Sequence, residues 1–309
     1  MITTLAGGVG AAKFLRGLAR RIDPRRLSVI VNTGDDEIFY GLHVSPDVDT
    51  VLYTLAGVVN RANGWGLAGE SFNALAALGR FYGKPWFNLG DRDLATHLYR
   101  SERLRAGASL SEVTAEIAAR LELKPRVMPM SDDRVHTHVK LKGRPPMPFQ
   151  EYFVRGRARG TVERIELRGI EEARPLPAAL DAIAESRAVI LAPSNPFVSL
   201  GPILELRGVR DALRAVRERV AAISPIVGGR PIKGPADKMM RGLGHEVSPL
   251  GVARLYHDFI GVFVLDNVDR RYLAPIRELG LTAVAADTIM TTPAKAARLA
   301  DLVLRALAV

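Results

Sequence analysis

The sequence predicts an α/β protein: a Rossmann-like, doubly wound, mainly parallel sheet with an inserted helical and small-sheet cap. Three observations predict it. Short β-branched runs that stop at Gly, Pro, Asn or Ser recur at both ends of the chain, each followed by a helical stretch. The first of these runs opens into a glycine turn that leads straight into a helix. The 309 residues, 48% apolar and 25% charged, suffice for one large core carrying an elaboration, and no apolar run approaches the roughly 20 residues that span a bilayer.

Taken in order, residues 2–6 read as the first strand, 11–21 as a helix and 27–33 as the second strand. The pattern then changes. Helical segments are expected at 50–60, 71–79, 94–106 and 109–121, the last with Ser109 or Ser111 as N-cap. Antiparallel strands follow at 136–142, 150–154 and 162–167, around the turn Arg144-Pro145-Pro146. The parallel pattern resumes at 188–192, 221–227, 261–266 and 282–285, which makes six strands, and an amphipathic helix at 293–308 closes the chain. The expected division is a core of 1–49 and 181–309, with 50–180 as the inserted cap.

Cysteine is absent, which excludes a disulfide framework, a thiolate zinc site, an iron-sulfur cluster and a cysteine nucleophile, and fits a reducing, cytoplasmic setting. The N-terminus lacks the charged start and cleavage site of a signal peptide. A net charge of +10 calls for an anionic partner. The basic residues are dispersed and no nucleic-acid-binding pattern accompanies them, so neither nucleic acid nor a membrane is the expected partner.

The chemistry concentrates in turns. Gly7-Gly8-Val9-Gly10-Ala11-Ala12-Lys13 is a strand-to-helix turn where backbone amides can meet an anion, although it is neither a Walker loop nor a full dinucleotide fingerprint. Residues 32–50 then crowd Asp35, Asp36, Glu37, Asp47 and Asp49 after the second strand. Two carboxylates about 4 Å apart repel by about 4 kcal/mol at an effective dielectric near 20, so such a cluster needs a cation, a proton or an arginine. All-oxygen ligands beside a phosphate favour Mg2+. A purely local reading makes each acid a helix cap, Asp49 for a helix starting at Thr50.

A third cluster, Asn88-Leu89-Gly90-Asp91-Arg92-Asp93-Leu94-Ala95-Thr96-His97, precedes Arg100 and reads equally as an ion-pair network or a ligand contact. Ser131 and Asp132 sit in a similar polar turn. His136 and His138 share a strand face without a third ligand, which argues against zinc. Ser194-Asn195-Pro196 with Ser199, and Ser224-Pro225-Ile226-Val227-Gly228-Gly229, fall at carboxyl ends of core strands, where open α/β sheets bind ligands. Lys238 follows at another glycine-led helix start.

These motifs, in order over nearly the whole chain, resemble the 2-phospho-L-lactate transferase family of deazaflavin coenzyme F-420 biosynthesis. The matching text includes the glycine turn, Ser45-Pro46-Asp47-Val48-Asp49-Thr50, the block from Leu89 to His97, Met128-Pro129-Met130-Ser131-Asp132-Asp133, Pro193-Ser194-Asn195-Pro196 and Ser224-Pro225-Ile226-Val227-Gly228. The resemblance implies a homodimer that moves a phospho-three-carbon-acid group from a guanosine diphosphate ester to the ribityl hydroxyl of the deazaflavin Fo, releasing GMP, with Mg2+. It implies Asp35, Asp36 and Asp49 at the metal and Asp49 or Asp36 at the attacking hydroxyl. Gly8, Gly10, Lys13, Ser194, Asn195, Ser199, Gly228 and Lys238 are then expected on the donor, and Asp91, Arg92, Thr96 and His97 on the acceptor. Asn32, Thr33, Asp47, Ser131 and Asp132 complete the expected substrate contacts. Two alternatives remain: a nucleotide-sugar-binding regulator with the same core, and a nicotinamide-dependent oxidoreductase, which leaves the acidic cluster unexplained.

Overall fold

A computed structural model describes all 309 residues. At its centre lie seven parallel strands: β1 (Ile2–Ala6), β2 (Leu27–Val31), β3 (Arg126–Pro129), β4 (Ala188–Leu191), β5 (Val220–Ile223), β6 (Val262–Asp266) and β7 (Thr282–Ala286). Their order is β7-β6-β5-β4-β1-β2-β3, so the direction of winding reverses between β1 and β4. That reversal makes the switch point at which doubly wound sheets bind ligands.

The inner strands are buried along their whole length and mostly apolar because both faces are covered. Val29 and Val31 belong to one core and Ile30 between them to the other. Helix α1 (Gly8–Leu18) buries Phe14, Leu15 and Leu18 and packs between α2 (Pro46–Leu55) and the terminal helix Pro293–Ala306. Beyond them lie α3 (Asn73–Tyr82), α4 (Asp93–Arg105) and α5 (Leu110–Arg120). Ser109 caps α5 in a reciprocal capping box with Glu112, as its sequence predicts.

Three differences from the sequence reading have physical causes. Residues 126–129 form a seventh core strand, hydrogen-bonded to β2, although they fall in the expected cap; a four-residue run is too short for periodicity to place. The expected boundary after residue 49 runs through α2, which starts at Pro46 because proline's fixed φ suits a first helical position. Asp49 therefore lies inside the first turn and does not cap a helix at Thr50. Residues expected as a strand at 150–154 form a wide helical turn, Glu151–Arg155. Phe149 and Tyr152, three apart, both enter a small core, and His136–Leu141 pairs directly with Val162–Arg168 instead.

Candidate active site

After β2 the chain turns through Asn32 to Asp36, makes a short hairpin (Glu37–Phe39 with Leu42–Val44) and enters α2, which brings Asp47 and Asp49 back over Asp35 and Asp36. All four carboxylates are buried. Asn32 organises them. Its Nδ2 lies 2.9 Å from both Asp35 Oδ1 and Asp47 Oδ2 and 3.2 Å from the Val198 carbonyl, while its Oδ1 accepts the Gly34 N–H at 2.9 Å. Gln150 donates to the other oxygen of Asp35 at 2.7 Å. Ser45 (2.6 Å) and His43 Nε2 (3.0 Å) both meet Asp36 Oδ2. Asp36 Oδ1 and Thr33 Oγ1 are buried without any partner.

The electrostatics divide the cluster in two. Burial, then the charges of Asp47 and Asp36, pushes Asp35 well above the usual carboxylate range. Burial raises Asp47 to about 7 despite hydrogen bonds from Asn32 and the Gly8 amide, and raises Asp36 despite His43 and Ser45. Asp49 is different. Arg100, a fully buried residue of α4, grips both its oxygens, Nη1 to Oδ2 at 3.0 Å and Nη2 to Oδ1. Burial works against the Arg100 charge, and the Asp49 carboxylate more than restores it. Behind this pair His97 lies 3.7 Å from Asp49 and 3.3 Å from Asp93, whose carboxylate accepts the Tyr53 hydroxyl at 2.7 Å.

The glycine turn meets this cluster at the switch point. Gly8, at φ +67°, aims its amide at Asp47, so a carboxylate of the protein itself already caps α1. Gly10 has a packing reason as well: a Cβ there would stand 2.4 Å from the Pro193 carbonyl oxygen. Ser194 donates to the Gly7 carbonyl at 2.7 Å, and Ser199 packs against Gly7. Asn195 folds its own loop by accepting the Phe197 amide at 2.9 Å.

Several expected site residues serve structure in this state. Asp91 accepts Ser71, Asn73 and Ala74 at the start of α3, and those bonds, the Ser71 hydroxyl first, hold it down at about 2. Arg92 donates to the Ala68 carbonyl at 2.6 Å, Thr96 hydrogen-bonds Tyr53, and His97 is enclosed. The hydrogen bonds of the block expected at the acceptor brace α2, α3 and α4 against one another. Ser131 ties down Arg174, Asp132 caps Ser111 of α5, and the Gly228 amide donates to Asp269. Lys238 spends its ammonium on the Ala158 carbonyl at 2.6 Å, away from the carboxylates. The sequence reading missed Gln150 and the roles of His43, Ser45 and Arg100. Proximity to Asp36 in the chain signalled His43 and Ser45, and nothing local signalled Gln150.

No three acidic or histidine side chains converge as a ready-made metal cage. Magnesium asks for less, since it holds phosphates through one or two protein carboxylates. Buried, all-oxygen and without a lysine or arginine ion pair of their own, Asp35, Asp36 and Asp47 fit such an ion.

Fold and site together define a Rossmann-type protein that gathers carboxylates against a glycine turn, suited to handling phosphate esters without covalent catalysis. Residues 2–303 match the family 2-phospho-L-lactate transferase CofD, and the chain belongs to that family. It is 44% identical over 296 residues to a phosphoenolpyruvate transferase of Kitasatospora aureofaciens, covering 94% of this chain and 92% of the relative. It is 38% identical over 301 residues to a 2-phospho-L-lactate transferase of Methanosarcina mazei, covering 97% and 98%. The crystal structure of protein BH3568 from Bacillus halodurans shares the fold, with a TM-score of 0.63 over 98% of both chains at 17% identity. No helix is long and apolar enough to cross a membrane.

Proposed function

We propose that this transferase moves a phospho-three-carbon-acid group from a guanosine diphosphate ester to the ribityl hydroxyl of Fo, releasing GMP, in coenzyme F-420 biosynthesis in the cytoplasm. The observation that carries this reading is the set of buried carboxylates without a counter-cation at the switch point of a CofD-family core. Between the two donors named for its relatives, the higher identity to phosphoenolpyruvate transferases favours the enolpyruvyl ester.

In this reading the hydroxyl oxygen attacks the phosphorus that bears the acid, the bond from that phosphorus to GMP breaks in line, and the proton leaves through Asp36 Oδ1, the one buried carboxylate oxygen without a partner. His43 and Ser45 fix the other oxygen and so aim this one. Asp35 and Asp47, which share the Asn32 donor, would hold magnesium, and Asp49 would join them only by giving up an Arg100 contact. Bound there, the ion would neutralise charge on the donor's diphosphate oxygens. The homodimer belongs to this reading too; exposed Phe72, Phe81 and Tyr82 of the α3 region offer it apolar surface.

Incubation with magnesium, Fo and each donor, read by mass spectrometry, tests the reading. The coupled deazaflavin product and GMP are expected. Tight binding of a UDP-sugar with no change in Fo fluorescence would replace it with the nucleotide-sugar regulator.

A further inference from the structure

The small antiparallel sheet is fastened to the carboxylate loop at three places. The Thr137 amide donates to the Gly34 carbonyl at 2.6 Å. Gly34 itself leaves no space between the two: a Cβ there would stand 2.8 Å from Thr137 Oγ1 and from Pro202 Cγ. Gln150 makes the third attachment, Nε2 to Asp35 Oδ2 at 2.7 Å. It stands just before the wide turn Glu151–Arg155, and its neighbours Phe149 and Tyr152 enter the small core with Val139 and Met239. Those anchors leave the amide little freedom, and it is itself only 6% exposed. Fixing glutamine's rotamer-rich side chain is costly, and a joint that served packing alone would be cheaper with an apolar residue.

Counting hydrogens shows what the bond supplies. Asn32 Nδ2 carries two hydrogens and lies within hydrogen-bond distance of three acceptors, Asp35 Oδ1, Asp47 Oδ2 and the Val198 carbonyl. Its hold on Asp35 is therefore shared with a carboxylate that repels Asp35. Gln150 is the one side chain that donates to Asp35 and not to Asp47. The terminal torsion of an aspartate is broad, so Asp35 held only through Asn32 would swing away from Asp47. A divalent cation needs the opposite, two carboxylates kept side by side against their repulsion before the ion arrives.

We propose that Gln150 is a positioning residue for the divalent cation, holding Asp35 beside Asp47 and so setting the affinity of that pair for the ion. The role rests on the reading above in which Asp35 and Asp47 hold magnesium. It gives the inserted sheet a task at the site, because Gln150 carries the rigidity of the small core into the carboxylate cluster. Removing the amide frees a lone pair on Asp35, which by itself makes a stronger ligand. Loss of orientation outweighs that gain, since residues that orient a metal's ligands are worth about 10- to 100-fold in affinity.

Manganese, a paramagnetic stand-in for magnesium, gives a readout that needs no turnover. In full-length Gln150→Met, which keeps the volume and removes the donor, the manganese dissociation constant read by electron paramagnetic resonance should rise about 10- to 100-fold. The magnesium concentration for half-maximal GMP release should rise by a similar factor, while the KM for Fo stays within about twofold. Phe149→Leu is the control: it loosens the same small core and leaves the Gln150 bond, so it should lower the melting temperature with manganese affinity unchanged. Wild-type manganese affinity in Gln150→Met, or an equal loss in Phe149→Leu, overturns the positioning role and leaves Gln150 as a fastening. Wild-type protein that binds no manganese overturns the carboxylate pair as a cation site, and this role with it, while formation of the coupled deazaflavin product still tests the transferase reading separately. If Gln150→Met fails to fold, Gln150→Asn, which withdraws the amide by one methylene, decides by the same titration.

Discussion

Asp49 and Asp36 are both buried carboxylates from one stretch of chain, yet the fold treats them oppositely. Asp49 has both oxygens on Arg100, with His97 beside it and Asp93 and Tyr53 bonded behind His97. Asp36 has one oxygen held by Ser45 and His43 and the other held by nothing. The difference teaches how to read a buried acidic cluster: a carboxylate with its own counter-ion is a joint, here fastening α4 to α2, whereas carboxylates left without one await a ligand.

The largest expected effect should come from the unpaired member. Asp36→Asn should lower GMP release at saturating substrates by about 100- to 10,000-fold, with the melting temperature unchanged or raised because burying a neutral amide costs less than burying a charge. A folded variant retaining more than about a third of wild-type turnover would erase the contrast with Asp49.

Stability should respond at the other member. Arg100→Gln leaves Asp49 buried without its cation, a loss of about 3–5 kcal/mol measurable by urea unfolding. Asp49→Asn should also destabilise, by stranding Arg100. Relief of repulsion among the acids, the argument available from the sequence, makes Asp49→Asn neutral or stabilising; the Arg100 pair reverses that sign. Unfolding curves that match wild type for both variants would reduce the pair to a contact without energetic weight.

The unpaired set also predicts a pH dependence. Asp47 titrates at about 7 in the folded protein, against about 4 for an unfolded carboxylate, so between those values the folded state holds a proton that the unfolded chain has lost. Stability of the metal-free protein should therefore fall as pH rises from about 4 to about 7. Asp35 and Asp36, raised for the same reason, act in the same direction. Melting temperatures across that range check it; Asp47→Asn should flatten the slope, and a wild-type curve that climbs instead would show that the cluster is compensated.

The smallest effect should be at Lys238. Its position at a glycine-led helix start gives the sequence expectation of weaker donor binding in Lys238→Ala. The structure commits its ammonium to Ala158, so GDP affinity by calorimetry should change less than about twofold, with a stability loss of about 1 kcal/mol.

What the sequence determined by itself is what neighbours along the chain determine. A strand running into Gly7-Gly8-Val9-Gly10, the capping box at Ser109, short β-branched strands and a knot of acids after β2 are all local patterns, and they sufficed for the doubly wound fold. Tertiary structure decided the rest. The carboxylates at 35 and 36 meet those at 47 and 49 only because a hairpin returns the chain, and Gln150 reaches Asp35 across 115 positions. Arg100 hydrogen-bonds both oxygens of Asp49 and reaches Asp36 only through its charge because α4 docks where it does. The sequence shows how many charges the cluster has; which of them finds a partner depends on distances of a few ångströms in a medium of low dielectric, and those distances are set by packing.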